Sequence, residues 1–329
     1  MEYKTFPLIQ ESLSTVGFGS WGISGGEYWQ DANDQDSLNA IAKAIELGVN
    51  FFDVAPVYGF GHAESLLGQA FQGKRDQVFI ATKCGLTWDD QRHVVNNLTR
   101  QSIFTEIDQS LARLKTDYVD LYQLHWPDPN TDLEETMTAL AELKETGKIR
   151  HIGLTNFSLA DLKRAHSITP VSSYQGLYNL LEHDPSYYHA IPLDYRSQSE
   201  ILPYVVEQGM MFLPYSPLMQ GLLTDHFTMD GVNARDVRHE NPKLQGENLV
   251  LFTNIAEQLR AVARELNKPM SQVAINWLIA QTGVGPIICG GLEPEHVTLN
   301  AQASDWQLSE NHIEKINAIL KPFKDQQVV

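Results

Sequence analysis

The sequence predicts an α/β fold, a (β/α)8 barrel of the TIM type, organised as a single domain over residues 1–329. Two observations lead to this prediction. Eight short, mostly apolar segments recur along the chain with helix-like stretches between them. Eight such alternations in roughly 300 residues favour a closed barrel over an open doubly wound sheet. In addition, no low-complexity linker or change of composition divides the chain.

The apolar segments do not alternate strictly between apolar and polar residues, as expected of parallel strands that helices cover. They lie at residues 13–21, 50–54, 77–83, 118–125, 149–156, 171–179, 210–216 and 285–290. Helices are predicted where apolar residues recur every three or four positions. The predicted helices are 36–47, which starts at a possible capping acid and stops before Gly48, and 102–114, 132–146, 160–166 and 272–281.

The overall charge argues against two classes of partner. The 24 basic and 41 acidic residues give a formal net charge of −17, and the acidic excess is spread along the chain. Nucleic acids and anionic membranes bind basic surfaces, so neither is predicted as a partner. The charge does not restrict small-molecule substrates, and the sequence carries no indication of the oligomeric state.

Cysteine usage and the N-terminus predict a cytoplasmic protein. Cys84 and Cys289 cannot form a disulfide framework, and no residue pattern resembles a metal site. The first ten residues lack the features of a signal peptide, and no apolar run approaches the ~18 residues that span a bilayer. We interpret Cys84, which follows Lys83 directly, as a small buried residue, with a redox-sensitive thiol as the alternative.

A glycine motif near the N-terminus resembles a nucleotide-binding signature. Gly17, Gly19 and Gly22 match the spacing G-x-G-x-x-G, which in a doubly wound fold follows the first strand and binds a dinucleotide. Trp21 stands where the turn of that signature should tighten. We therefore interpret the match as coincidental.

Four polar side chains follow three consecutive predicted strands. Asp53 ends the second strand, with Tyr58 five residues later, whereas Lys83 ends the third strand and His125 the fourth. The carboxyl ends of barrel strands form the catalytic rim, so these side chains are expected to converge. Singly they could be a turn-forming acid, a rim tyrosine, a strand-end charge and a loop histidine. Their coincidence on neighbouring strands favours an active site.

This set of side chains suits proton delivery to a carbonyl oxygen. The pKa of a free tyrosine, near ~10, is too high for efficient proton transfer at neutral pH. The ammonium of Lys83 is expected to lower the pKa of Tyr58, and the carboxylate of Asp53 to hold that ammonium in place. His125 would orient the carbonyl or share the proton.

The sequence resembles the aldo-keto reductase superfamily, and within it bacterial forms similar to the inositol-utilisation and general-stress reductases. The resemblance spans residues 13–300 and rests on GVNFFDVAPVYGFGHAE, VFIATKCG, TDYVDLYQLHWPDP, GKIRHIGLTNFS, YQGLYNLLE and LPYSPLMQGLL. It implies a (β/α)8 barrel that interconverts an aldehyde, ketone or aldose and its alcohol with NAD(P)(H). It also implies a catalytic tetrad in which Tyr58 donates or accepts the proton: Asp53, Tyr58, Lys83 and His125.

The resemblance further implies a nicotinamide-cofactor site. Asn156 and Gln175 match the pair that binds the carboxamide, and Thr155 stands where a serine is usual. Tyr215 matches the aromatic residue that stacks on the nicotinamide ring and so selects the ring face that offers hydride. The other implied cofactor contacts are Ser216, Leu218, Gly221, Gly290, Gly291 and Asn300.

The residues after the last strand depart from the family pattern. The resemblance implies NADP(H), but Leu292 replaces the usual cation that binds the 2′-phosphate, and Glu293 follows it. A carboxylate at this place would repel the phosphate, or accept a hydrogen bond from a ribose hydroxyl. His296 could restore a cation at low pH. NAD(H) or dual use therefore stays open as the alternative.

An aromatic-walled substrate pocket is predicted from the tryptophans that follow the first, third and fourth strands, Trp21, Trp88 and Trp126. The segment 182–196, EHDPSYYHAIPLDYR, is longer and more aromatic than the link in many relatives. Its three tyrosines are predicted to shape a lid or substrate wall, with a surface loop as the alternative: Tyr187, Tyr188 and Tyr195.

Two other functions are compatible with the same residues. A regulatory subunit that resembles the potassium-channel beta subunits would retain the fold, the cofactor and the tetrad. A Schiff-base aldolase would instead use Lys83 as its nucleophile and would need no nicotinamide.

Overall fold

A computed structural model describes residues 1–26, 29, 32–230, 232–233 and 235–325 of the chain. Its eight-stranded parallel sheet confirms the predicted (β/α)8 barrel. The barrel strands are β1 (Val16–Gly19), β2 (Phe51–Asp53), β3 (Phe79–Cys84), β4 (Val119–Leu124), β5 (Ile149–Thr155), β6 (Ser173–Leu177), β7 (Met211–Tyr215) and β8 (Ile287–Gly290).

Neighbouring strands pair in parallel in the order β7-β6-β5-β4-β3-β2-β1-β8. Two backbone hydrogen bonds then close the sheet between β7 and the residues that precede β8. Phe212 N donates to Gly283 O at 3.0 Å, and Gly285 N donates to Phe212 O at 2.8 Å. All carboxyl ends of the strands therefore face one mouth of the barrel.

Helices surround the sheet. They are α1 (Asp34–Glu46), α2 (His62–Ala70), α3 (Arg100–Leu114), α4 (Leu133–Glu145), α5 (Leu159–Ile168), α6 (Leu202–Glu207), α7 (Gly246–Glu265), α8 (Met270–Ile279), α9 (Pro294–Ala301) and α10 (Glu310–Asp325). The five predicted helices correspond to α1, α3, α4, α5 and α8. Five further helices were not predicted: α2, α6, α7, α9 and α10. Of these, α7 and α10 pack against each other.

The prediction for residues 13–21 was wrong in one respect, because two strands meet there. Ile9–Ser14 pairs with Tyr3–Phe6 in an antiparallel hairpin, and only Val16–Gly19 belongs to the barrel. The hairpin side chains Ile9 and Leu13 are buried together with Phe51, which begins β2. The hairpin therefore closes the amino end of the barrel and leaves the carboxyl end for the site.

Gly17 and Gly19 are required for close packing within the barrel. A Cβ on Gly17 would lie 2.8 Å from Phe51 Cδ1, and one on Gly19 would lie 2.7 Å from Ile288 Cγ2. Both distances are too short for side-chain packing. The barrel topology thus confirms that the G-x-G-x-x-G spacing is not the signature of a doubly wound sheet.

Candidate active site

The ends of β2 and β3 bring three of the four tetrad residues into direct contact. Lys83 Nζ donates hydrogen bonds to Asp53 Oδ1 at 2.6 Å and to Tyr58 Oη at 3.3 Å. A third bond, at 3.1 Å, goes to the backbone oxygen of Val54. The ammonium thus has three acceptors for its three protons, although the Lys83 side chain has no exposed surface.

His125 completes this cluster from the end of β4. Its ring centroid lies 5.9 Å from that of Tyr58, at an interplanar angle of 80°. Burial lowers the pKa of His125 well below its usual value, and the neighbouring Lys83 charge acts in the same direction. The imidazole is therefore neutral at pH 7.

The pKa of Tyr58 differs from the expectation. Burial raises the pKa of the phenol well above its usual value, and the charge of Asp53 raises it further. The expected lowering of this pKa was wrong, because burial and the Asp53 charge outweigh the neighbouring Lys83 ammonium. Burial also lowers the pKa of Lys83, against the opposing influence of Asp53. The site thus holds a protonated phenol at neutral pH.

Asp53 is anchored by two further side chains. Its Oδ2 accepts hydrogen bonds from Gln175 Nε2 at 2.8 Å and from Gln123 Nε2 at 3.2 Å. From the sequence, Gln175 was expected at the cofactor, and no role was predicted for Gln123. The available signal was its position on β4, two residues before His125 and directly opposite Lys83 in the parallel register. The two glutamines satisfy the carboxylate oxygen that Lys83 does not use.

Asn156 follows β5 in a left-handed conformation, with a φ of 65°. Its Oδ1 accepts hydrogen bonds from Tyr215 Oη at 2.9 Å and from Tyr195 Oη at 3.0 Å. Thr155, which lies opposite Gln175 in the sheet, has a buried hydroxyl without a hydrogen-bond partner among the described residues. The structure therefore brings Asn156, Gln175 and Tyr215 together. The Thr155 hydroxyl beside them has no described partner.

The remaining expected cofactor contacts lie after β7, at the end of β8 and in α9. Ser216 has a φ of 52° and Gly221 a φ of 104°, so the chain bends sharply on both sides of Leu218. A Cβ on Gly290 would meet nothing within 4 Å, whereas one on Gly291 would lie 2.8 Å from Val297 Cγ2. The remaining contact, Asn300, donates from Nδ2 to Gly290 O at 3.0 Å.

The three tryptophans of the predicted pocket take different places. Trp21 lies beside the tetrad, with its ring centroid 6.4 Å from that of Tyr58. Trp88 belongs to a short hairpin and contacts the ring of Phe60, at 5.5 Å between centroids. Trp126 is half-buried against the hydrophobic core. Trp21 therefore has a ring contact with a tetrad side chain.

The segment 182–196 folds into a small hairpin in which Tyr187–Tyr188 pairs with Ile191–Pro192. The Tyr188 ring packs edge-on against Tyr215, with centroids 5.2 Å apart. Tyr195 is fully buried beneath Asn156. Glu182 forms a buried ion pair with Lys243, whose ammonium also lies 4.6 Å from the ring centroid of Tyr187. The hairpin is thus attached to both the barrel mouth and the segment before α7.

Three other sequence expectations concern features outside this cluster. Cys84 is buried, and burial raises the pKa of its thiol well above the usual range, which favours the structural interpretation over a reactive thiol. Among the described residues, no three His, Cys, Asp or Glu side chains could share a metal ion. No described helix is long and apolar enough to cross a membrane.

Comparisons with known proteins give one consistent match. The sequence profile described as the Aldo/keto reductase family matches residues 15–321. The chain is 33% identical over 328 residues to Aldo-keto reductase YhdN of Bacillus subtilis (strain 168), which covers 98% of this chain and 94% of that protein. It is also 33% identical over 313 residues to the NADH-specific methylglyoxal reductase of Escherichia coli (strain K12), covering 91% and 92% of the two chains.

A solved structure supports the same match. The glycerol dehydrogenase AKR11B4 from Gluconobacter oxydans superposes with a TM-score of 0.86 and 30% sequence identity. The superposition covers 98% of this chain and 95% of the other.

Proposed function

The chain belongs to the aldo/keto reductase family and is an NAD(P)H-dependent oxidoreductase, and on that premise we propose that it interconverts an aldehyde or ketone and its alcohol with Tyr58 as the proton donor or acceptor. The observation that carries this proposal is the Lys83 ammonium, which bonds both Asp53 and the Tyr58 hydroxyl inside the barrel mouth.

The residues of the mouth fit a nicotinamide cofactor. Thr155 offers a buried hydroxyl that lacks a partner among the described residues, beside the amides of Asn156 and Gln175. A carboxamide needs both donors and acceptors, and these three side chains supply them. The half-buried ring of Tyr215 offers an aromatic face, and the open space at Gly290 allows close approach to the backbone. The bound cofactor supplies the hydride.

The protein's own residues then handle the proton. The raised pKa of Tyr58 keeps the phenol protonated at neutral pH, so it can donate a proton to a carbonyl oxygen that gains negative charge. Lys83, held by Asp53, stabilises the phenolate that this transfer leaves behind. Neutral His125 can donate a hydrogen bond that orients the carbonyl. In the oxidation direction the same groups would move the proton back.

For the cofactor we propose that NADH is accepted at least as well as NADPH. Leu292 offers no cation to a 2′-phosphate, and the exposed Glu293 carboxylate follows it at the start of α9. The Escherichia coli relative is named as NADH-specific, which supports the same choice. NADP(H) remains the cofactor that the wider family resemblance implies.

The expected effect of restoring the cation tests this choice. Leu292→Arg should lower the Kd for NADPH about tenfold and leave the Kd for NADH nearly unchanged, because only NADPH carries the phosphate. Leu292→Gln, which adds polarity without charge, is the matched control. Tight wild-type binding of NADPH and weak binding of NADH would contradict the assignment.

The two rival functions make different demands on the site. A Schiff-base nucleophile needs a free amine, yet Lys83 Nζ is buried and bonded to three oxygens. A regulatory subunit would bind cofactor but would not need to turn over substrate rapidly.

The function is tested by following NADH and NADPH oxidation with wild-type protein over a panel of aldehydes, ketones and aldoses. The proposal predicts turnover of at least one carbonyl class. Tight cofactor binding without turnover of any substrate would favour the regulatory function. Borohydride trapping of a substrate on Lys83 without any cofactor would favour the aldolase.

A further inference from the structure

Two buried ring nitrogens beside Trp21 lack hydrogen-bond partners among the residues that the structure describes. They are the indole Nε1 of Trp29 and the imidazole Nδ1 of His189, and neither has a partner among the described residues. Both rings contact Trp21, whose centroid lies 5.4 Å from that of Trp29 and 6.4 Å from that of His189. A buried donor without an acceptor is costly, so each such atom requires an explanation.

A chain of side-chain amides determines which nitrogen of His189 carries the proton. Asn241 Oδ1 accepts a hydrogen bond from the backbone N of Lys243, at 3.0 Å, which fixes the orientation of the Asn241 amide. Asn241 Nδ2 then donates to Gln220 Oε1 at 2.9 Å. The NH2 end of the Gln220 amide therefore faces His189, and Gln220 Nε2 donates to His189 Nε2 at 3.1 Å.

The imidazole of His189 is consequently a donor at its other nitrogen. Burial lowers its pKa to about 4, so the ring is neutral at pH 7 and carries one proton. Because Nε2 accepts from Gln220, that proton is on Nδ1. His189 is 8% exposed, which limits the access of bulk water to this N–H group.

We propose that Trp29 and His189 form an oxygen-binding subsite beside Trp21, which selects carbonyl substrates that carry hydroxyl groups away from the reacting carbon. Trp21 contacts Tyr58 as well as both donors, so the subsite lies on the side of the proton donor. Both free groups donate, so the complementary ligand atoms are acceptors. This inference rests on the proposed function, because the carbonyl is placed by Tyr58.

The acceptor could belong to the substrate or to the cofactor, whose ribose and phosphate groups also carry oxygens. The contact between Trp21 and Tyr58 favours the substrate. We therefore compare substrates that differ only in hydroxyl groups, and we measure cofactor binding separately. D-glyceraldehyde and propanal have the same three-carbon chain, and only the first carries hydroxyls.

Variants at His189 separate the effect of the hydrogen-bond donor from the effect of the side chain's size. His189 has a φ of 52°, which asparagine tolerates well, and an asparagine Nδ2 takes the place of the imidazole Nδ1. His189→Asn should therefore retain the donor, whereas His189→Leu has a similar size and no donor. Both lose the contact with Gln220. Trp29→Phe keeps an aromatic ring against Trp21 and removes the N–H group together with the five-membered part of the indole.

His189→Leu and Trp29→Phe are each expected to lower kcat/KM for D-glyceraldehyde about tenfold, mainly by raising KM. The value of kcat/KM for propanal should change less than about twofold. His189→Asn should retain most of the activity towards D-glyceraldehyde. Equal losses for both aldehydes, or no loss for either, would overturn the proposal. A change confined to the Kd of NADH or NADPH would place the acceptor in the cofactor and would equally overturn it. Melting temperatures identify variants that fold poorly.

A binding measurement keeps the test independent of turnover. Nitrogen NMR of histidine-labelled wild type should show a neutral His189 ring protonated on Nδ1, and saturating glycerol should shift that resonance more than propan-1-ol does. The opposite tautomer, or no preference for glycerol, would count against the subsite. A glycerol-dependent shift in a protein that turns over no carbonyl would instead show that the proposed function fails while the subsite stands.

Discussion

Lys83 is a fully buried ammonium whose charge is compensated by the equally buried Asp53. Removing one member of such a pair leaves an uncompensated charge in the protein interior, whereas removing both charges is often nearly neutral. The side chains that define the proposed chemistry therefore also affect the free energy of unfolding.

A double-mutant cycle measures this coupling. Lys83→Met is expected to lower the free energy of unfolding by about 3–5 kcal/mol, because the Asp53 carboxylate then keeps only its two glutamine donors. Adding Asp53→Asn removes that charge, so the double variant should be more stable than Lys83→Met alone. Urea unfolding provides the measurement. Strict additivity of the two single effects would show that the pair is not coupled.

The convergence of the four tetrad side chains can be predicted from the sequence, because the carboxyl ends of successive parallel strands must meet at one mouth. It does not predict contacts that depend on register and rotamer. The bonds from Gln123 and Gln175 to Asp53 form because their strands align those positions. The raised pKa of Tyr58 likewise depends on burial, which the sequence around Tyr58 does not reveal.

At the scale of elements, α3 is linked to β3 through a buried acid. Glu106 Oε2 accepts a hydrogen bond from the backbone N of Gly85, at 3.0 Å, two residues after Lys83. Its Oε1 accepts from Ser102 Oγ at 2.9 Å. Burial raises the pKa of Glu106 to about 7, far above the usual value of 4.5.

This raised pKa predicts a pH-dependent stability. The folded state favours the protonated acid, so the contribution of Glu106 to stability is complete below pH ~4.5 and is lost as the pH rises through about 7. Glu106→Gln lacks this loss. Its free energy of unfolding, compared with that of wild type, should therefore be higher by roughly 3 kcal/mol at about pH 8 than the same comparison gives at about pH 4.5. Chemical denaturation at both pH values provides the comparison.

Glu314→Gln, on the exposed face of α10, is the control, and its effect should be small and similar at both pH values. An equal effect of Glu106→Gln at both pH values would mean that Glu106 does not titrate in this range.

Helix α2 was not predicted from the sequence, and the reason is identifiable. In α2, Gly68 interrupts a helical sequence and Glu64 is buried, so the segment does not show a regular apolar face. A Cβ on Gly68 would lie 2.3 Å from Arg113 O of α3, so the glycine is required by close helix packing. The eight strands were easier to predict, because their buried apolar segments are determined by the layers of the barrel itself.

At the scale of the whole molecule, the N-terminal hairpin and the proposed active site occupy opposite ends of the barrel. The N-terminal hairpin fills the amino end with Ile9 and Leu13, while the tetrad lies at the carboxyl end. This separation is typical of the barrel architecture. Substitutions at the closed end should therefore change folding without changing the reaction.

Leu13→Ala tests that separation. Leu13 is 1% exposed, and its truncation should lower the free energy of unfolding by about 2–5 kcal/mol. The Kd for cofactor and the kcat of the folded protein should stay near wild type. Val250→Ala, at a side chain that is 61% exposed, should change stability by less than about 0.5 kcal/mol. A loss of kcat in folded Leu13→Ala protein would show that the two ends are coupled.

The central claim is that the Tyr58 hydroxyl transfers the proton in carbonyl reduction. The most direct measurement is the single-turnover rate of cofactor oxidation at saturating cofactor and substrate, in wild type and in Tyr58→Phe. Phenylalanine keeps the ring and removes only the hydroxyl, so the cofactor Kd should be unchanged while the rate falls about 10²–10⁴-fold. A Tyr58→Phe protein that binds cofactor normally and reduces substrate at the wild-type rate would contradict the claim.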